Sequence, residues 1–438
     1  MATSAILKTL PYPRTPIPPY GVKFSNFCME SAESSAMKPS CSIPFVLLSS
    51  LILAACAQPA AYTLRVEAGD YDRRQTITSF TMPEGLDSMA FQLRDDEGAL
   101  APLQIDPDGT AWFILNRLDA GQTKTYRLEP AQTASPGGVV AQYGDGTVHL
   151  SLDAQPVVQY YSQKSPLPPG VDSLYHRGGY LHPVYTPAGR VVTDDYPPSH
   201  LHQNGIWASW TKTVFQGRTP DFWNLGNGTG TVEVEALDET WGGPVHGGLR
   251  ARHRYVDLTA SEPVTALREQ WELRIYRVSS TDRPIHLFDL AVTQTTATDS
   301  ALVLPTYHYG GVGFRGHWDW NGEENTVFLT SEGNDRSNGH ATRARWCHIG
   351  GVVEGDSVGI AVLGHPDNFE APQPMRIHPT EPFFNYAPSQ AGDWSIEPGE
   401  LYVARYRFVV YDGLPDPADL DRLWNDYAHP PVVHVGDD

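Results

Sequence analysis

From Thr147 to Tyr411 the sequence is written largely in a period of two. Thr147-Val148-His149-Leu150-Ser151-Leu152 alternates, with Val148, Leu150 and Leu152 on one side. Leu267 to Val278 puts Leu267, Trp271, Leu273 and Ile275 on one side, with Glu269 as the exception. His286 to Thr293, Val358 to Leu363 and Leu401 to Tyr411 repeat the theme. In an extended chain, residues two apart share a face, so these runs read as strands with one buried side. With closely spaced turns between them, they predict an all-β chain whose main body is a large twisted β-sandwich. Only Asp416 to Tyr427 reads as a helix, with Asp416 as N-cap and Pro417 at the first helical position.

The organisation expected along the chain follows from shifts in composition. Phe45 to Ala55 is an apolar run preceded by Lys38, too short to span a bilayer and of the length of a secretory signal. It ends Leu53-Ala54-Ala55-Cys56, which resembles the lipobox of bacterial lipoproteins and marks Cys56 as the lipidated first residue. Residues 1–55 are therefore set aside as an upstream extension and lipoprotein signal peptide, with Met37 as the expected start. Residues 56–130 carry short strands such as Tyr62 to Val66 and Ala111 to Leu115, with turns at Pro107-Asp108-Gly109 and Asp119-Ala120-Gly121. They read as a small N-terminal β domain. Residues 131–138 have linker composition, and 139–438 form the large domain. Export would leave the protein in the periplasm or on the outer-membrane surface, touching the membrane only through its lipid.

Charge and cysteine narrow the function classes. The formal net charge is −20, against the basic balance that nucleic-acid binding calls for. Beyond Cys56 the only cysteine is Cys347, so neither a disulfide framework nor a cysteine-based zinc site is expected. No phosphate-binding loop, dinucleotide fingerprint or G-x-S-x-G elbow occurs.

The chemistry concentrates in five stretches. The first, His182 to Trp223, turns at Pro187-Ala188-Gly189 and Pro197-Pro198, then presents His200, His202 and Gly205 ahead of the strand Ile206 to Trp210. The two histidines, two apart, are expected to face one cleft, with Gly205 allowing a close backbone approach. The others are Tyr307 to Trp320, Thr330 to Cys347, Gly364 to Phe369 and Arg405 to Gly413. Together, from His182 to Tyr427, they resemble the bacterial PmoA-like ("methane oxygenase PmoA") family, a domain of unknown function. The family pattern near His200 is similar to Asp-His-Pro-His-His-Arg-Gly. His200, His202 and Gly205 match it, whereas Ser199, Gln203 and Asn204 depart from its Asp, third His and Arg. The resemblance implies secreted proteins that accompany sugar degradation. By analogy it implies a fold like galactose mutarotase, and folds host many functions.

The residues fall into roles on their own chemistry. His200, His202 and His308 titrate near neutrality and suit proton transfer. Glu332, in polar text beside Gly333, is the carboxylate expected to act as general acid or base. Arg315 suits bidentate binding of a substrate. Arg336, Asn334 and His340 offer hydrogen bonds to sugar hydroxyls, and Trp207, Trp223 and Trp318 offer faces for sugar stacking. The histidine spacing completes no recognised metal triad, so no metal and no cofactor is expected. The reading is a carbohydrate-active lipoprotein that cleaves a glycan by hydrolysis or β-elimination. Its alternatives are a non-catalytic glycan-binding lipoprotein and a metal-dependent oxygenase. Oligomeric state is left open.

Overall fold

The computed structural model describes residues 62–83, 91–131, 137–278 and 283–437. The expected signal peptide, Cys56 and most of the expected linker lie outside them. Among the described residues no helix is long and apolar enough to cross a membrane. The fold is all-β, built from antiparallel sheets.

Two eight-stranded sheets make the main body. In one the order is Met375–Ile377, Phe383–Tyr386, Gly311–Arg315, Ile206–Ser209, Tyr180–Val184, Gln155–Tyr161, Thr147–Leu152, Val139–Gly144. In the other it is Gly230–Trp241, His246–Asp257, Val264–Tyr276, Ile285–Thr296, Tyr402–Asp412, Asp356–Gly364, Trp346–Val353, Val327–Thr330. Their facing side chains share one core that includes Val148, Leu150, Ile206, Phe314, Trp271 and Leu290. Tyr160 of the first sheet lies 6.3 Å, ring to ring, from Trp271 of the second. This is a sandwich in which the period-two pattern turns every second residue inward.

Glu269, the exception in its strand, points inward too and is 2% exposed. Its carboxylate accepts from His253 Nδ1 at 2.8 Å, Tyr255 Oη at 2.8 Å and Gln294 Nε2 at 2.6 Å. His253 Nε2 lies 2.7 Å from the Tyr160 hydroxyl, and Trp210 Nε1 donates to Gln294 at 2.8 Å. A carboxylate only accepts, so His253 donates through Nδ1, and its Nε2 pairs with the Tyr160 hydroxyl. Such a group is tolerated in a core only when fully paired, as here.

Strands 62–130 enclose a separate small core of residues such as Leu64, Leu93, Phe113 and Leu115. Val432–Asp437 adds an edge strand to it by pairing with Tyr62–Glu67. The chain's last strand thus sits in the N-terminal module rather than in the sandwich to which the sequence division assigned it. The physical reason is the helix Pro417–Ala428, which crosses from one to the other. Asp416 caps it by accepting from the N–H groups of Ala418 and Asp419. Leu420 and Leu423 bury against Ile77, Trp346 and Val409, while Asp426 binds Arg73 at 3.0 Å.

Candidate functional site

The site lies on the outward face of the first sheet and follows from its register. Tyr180 pairs with Trp207, Trp207 with Gly313, Gly313 with Asn385, and Asn385 with Arg376. Residues paired in this way stand side by side on one face, opposite to the core residues Leu181, Ile206, Val312 and Phe384. Gly313 is required in the row: a Cβ there would come within 2.8 Å of Trp223 and 3.1 Å of Trp207. The next row pairs Arg315 with Phe383. Strands far apart in the sequence thus bring their chemistry to one surface.

Three histidines gather over Arg315. His200 and His202 occupy a turn, where the sequence pattern implies extended chain. The turn is closed by Gln203 N–H donating to the His200 carbonyl at 2.9 Å. Their rings nevertheless lie edge to face at 5.7 Å. His378, from the turn between the edge strand Met375–Ile377 and its neighbour Phe383–Tyr386, is 5.8 Å from His200. Gly205 makes the close approach expected of it, since a Cβ would sit 2.0 Å from the Leu181 carbonyl oxygen.

Arg315 is fully buried and holds the protein's own groups. Its fork binds Glu381, Gln203 at 3.0 Å and Asn321 at 2.6 Å. The expected substrate clamp is therefore an internal ion pair, because an uncompensated guanidinium at this depth would be costly. Glu381 is pulled up by burial, but the adjacent Arg315 charge and hydrogen bond outweigh this and hold its carboxyl below the usual range. His200 Nδ1 stands 3.7 Å from Glu381 Oε1, beyond hydrogen-bond reach, and has no hydrogen-bond partner.

All three histidines are biased to the neutral form. Burial, followed by the neighbouring His200, Arg177 and Arg315, lowers His202 to about 4. Burial and then Arg376 lower His378 to about 4. His200 is lowered by burial, with Glu381 opposing. His378 Nδ1 accepts the backbone N–H groups of Glu381 at 3.0 Å and Thr380 at 3.3 Å. Its neutral ring therefore carries the proton on Nε2 and is a donor there.

The other sequence-predicted residues divide. Arg336 donates to the carbonyls of His378 at 2.6 Å and Glu381 at 3.2 Å, so it clamps the turn that carries them. The His308 ring lies tilted against Tyr307 at 4.4 Å and edge-on to Tyr309 at 4.8 Å. His340 hydrogen-bonds the Met375 carbonyl, next to Arg376. Trp318 is 39% exposed, tilted on His317 with its ring 3.7 Å away, and its carbonyl accepts from the Asn321 that binds Arg315.

Three expectations are corrected. Trp207 and Trp223 are 0% and 1% exposed, packed with Tyr180 and Phe383, and offer no face to a sugar. Asn334 closes a turn with its own backbone, its carbonyl accepting from Thr330 N–H at 2.9 Å and its N–H donating to Thr330 Oγ1 at 3.0 Å. Glu332, exposed in that turn, neighbours Ser331 and an Arg345 that also binds Asp421 of the helix. The carboxylate among the histidines is Glu381 instead. Sequence reasoning missed it with His378 and Arg376, although Ile377-His378-Pro379-Thr380-Glu381-Pro382 sets a His and a Glu three apart between prolines. Among the described residues no group of three or more His, Cys, Asp or Glu is placed to hold a metal ion.

Comparison with curated proteins gives no match. Among solved structures, the chain is similar to a protein in glycosyl hydrolase family 38 from Enterococcus faecalis, at 9% identity and a TM-score of 0.43. The similarity covers 86% of this chain and 47% of that one, so the chain spans about half that protein's length. A family model matches residues 147–425, the whole span of the sandwich strands from Thr147 and most of the helix, and the chain belongs to that family of unknown function (DUF6807).

Proposed function

We propose that the protein cleaves a carbohydrate by histidine-mediated proton transfer, and that β-elimination fits the site better than hydrolysis. The observation that carries this is the convergence of His200, His202 and His378 on a single carboxylate, Glu381, which Arg315 keeps ionised. Ordinary glycoside hydrolysis uses two carboxyl groups across the scissile bond. Elimination needs a base for a carbon-bound proton and a donor near the departing oxygen. His200 takes the proton next to a sugar carboxylate, and Glu381 stabilises the imidazolium formed. The C–H electrons become the new C=C bond as the C–O bond to the leaving sugar breaks. The imidazolium returns its proton to that oxygen, and the leaving sugar departs with a free hydroxyl group. His378 Nε2–H is a neutral donor to the same region.

A purely binding groove would present several exposed aromatic faces, and of the three tryptophans nominated for stacking only Trp318 is exposed. The oxygenase reading draws no support from a family of unknown function. We further propose that the protein is exported and anchored through lipidated Cys56, which mass spectrometry of the mature N-terminus tests. The functional test is incubation with acidic and neutral polysaccharides. Ultraviolet-absorbing unsaturated ends are expected from an acidic one. New reducing ends without unsaturation would reject elimination in favour of hydrolysis.

A further inference from the structure

Arg376 stands beside the histidine cluster, and among the described residues no carboxylate forms a salt bridge with it. It projects from the edge strand Met375–Ile377 on the same face as Asn385, Gly313 and Trp207. It is half-buried, and the groups that act on its charge are Tyr309 and Tyr307 rather than any acid. Its own charge in turn acts on His308, His340 and His378. Elsewhere on this face the guanidinium of Arg315 is neutralised by Glu381. The loop that carries Tyr307, His308 and Tyr309 is braced by Asn224 Nδ2 donating to the Tyr309 hydroxyl at 3.1 Å and by the Trp223 ring at 5.3 Å. The segment holding His340 is tied to the arginine's strand by reciprocal backbone bonds, Ala341 N–H to the Met375 carbonyl at 2.9 Å and Met375 N–H to the Thr342 carbonyl at 2.9 Å.

We propose that Arg376, flanked by His308, His340 and Tyr307, is the subsite for the carboxylate of a uronic acid residue, so that the substrate class is an acidic glycan. The planar guanidinium fork matches a carboxylate through two parallel N–H···O bonds, and the imidazole and phenol groups add hydrogen bonds without adding negative charge. His378 follows two residues after Arg376, in the turn that leaves the strand, and the cluster that receives the proton begins there. A carboxylate seated on Arg376 thus places its adjacent C–H toward His378 and His200. The pairing also serves the chemistry, since neutralising that carboxylate makes the neighbouring proton more acidic. This assignment rests on the elimination reading for its catalytic consequence but not for its binding claim.

The test is calorimetric and NMR titration of the purified protein at low ionic strength. The probes are D-galacturonate and D-glucuronate, with galactose, glucose and inorganic sulfate as controls. At least one uronate is expected to bind in preference to both neutral sugars and to shift the His308 and His340 ring resonances. R376Q should weaken that uronate about ten- to a hundred-fold, the scale of hydrogen bonds to a charged group, and R376K should recover part of the loss. Equal binding of neutral sugars overturns the proposal, as does sulfate that competes as strongly as uronate or uronate affinity unchanged in R376Q. An unchanged thermal midpoint in R376Q guards against misfolding. Uronate binding that is lost in R376Q, with no unsaturated product from any acidic polymer, would uphold the subsite and reject elimination.

Discussion

The molecule contains the same chemical pair twice, in two settings. His253 and Glu269 meet in the middle of the sandwich, both fully buried, 2.8 Å apart, with hydrogen-bond partners at both ring nitrogens and both carboxylate oxygens. His200 and Glu381 meet at the surface of one sheet, 3.7 Å apart, with 31% of the imidazole exposed and its Nδ1 unpaired. A buried polar network whose every member is satisfied holds the fold in one arrangement. A partly exposed imidazole beside an ionised carboxylate, with a ring nitrogen that the fold leaves unpaired, is instead available to a substrate. The pair at the centre is part of the scaffold, and the pair at the rim is what the scaffold presents.

The sharpest way to break this comparison is to remove one carboxylate from the core. Glu269→Ala leaves His253, Tyr255 and Gln294 without their common acceptor, and breaking a buried pair typically costs about 3–5 kcal/mol. Denaturant unfolding should show a loss of that size. If stability were unchanged, the core network would not be structural and the contrast would fail. Next, His200→Asn should do the reverse. It removes a half-exposed ring with no hydrogen bond at Nδ1, so stability should move by less than about 1 kcal/mol. Turnover on the cleaved glycan should fall by about 10²–10⁴-fold, the usual contribution of a general base. A variant that unfolded like Glu269→Ala would erase the distinction between the two pairs.

Arg336→Ala sharpens the comparison from the positioning side. Arg336 touches the cluster only through the carbonyls of His378 and Glu381. Its loss frees the turn that carries both side chains. We expect about a ten-fold drop in kcat with KM little changed, and faster amide exchange confined to residues 378–382. A KM effect with unaltered exchange would instead make Arg336 a substrate contact.

The sheets were legible because one face of each strand is buried, and burial writes itself into alternation. Glu269 was visible as an anomaly in that pattern, and its meaning lay in His253, Tyr255 and Gln294 on neighbouring strands. The cluster was half legible. His200 and His202 sit together in sequence, so their proximity was readable even though the local backbone is a turn. His378 and Glu381 reach them only because Ile206–Ser209 pairs with Gly311–Arg315, which pairs with Phe383–Tyr386. Composition cannot reveal such a register. The tryptophans failed for another reason. A large amphipathic ring is equally suited to a core and to a sugar face, and only the packing around Gly313 decides that Trp207 and Trp223 belong to the former.

The smallest expected effect is a matter of pH, and it separates the rim from an ordinary exposed imidazole. His202 and His378 are lowered from the usual 6.5 to about 4, chiefly by burial and then by nearby positive groups. Between about pH 6.5 and 4 the unfolded chain therefore binds protons that the folded protein does not. Their contribution to stability is complete above pH 6.5, shrinks as pH falls toward 4, and declines no further below that. In the proposed elimination the base is His200, whose ring is also biased toward the neutral form by burial. The acid limb of kcat/KM should therefore fall below the 6.5 of an ordinary imidazole. His378→Asn and His202→Asn should each reduce the loss of stability over that window, measured by denaturant midpoints at pH 7 and pH 4.5. Ring resonances of His202 and His378 that titrate near 6.5 would mean the rim is as open as solvent. The cluster would then be a set of surface histidines, and the contrast with His253 and Glu269 would be one of burial alone.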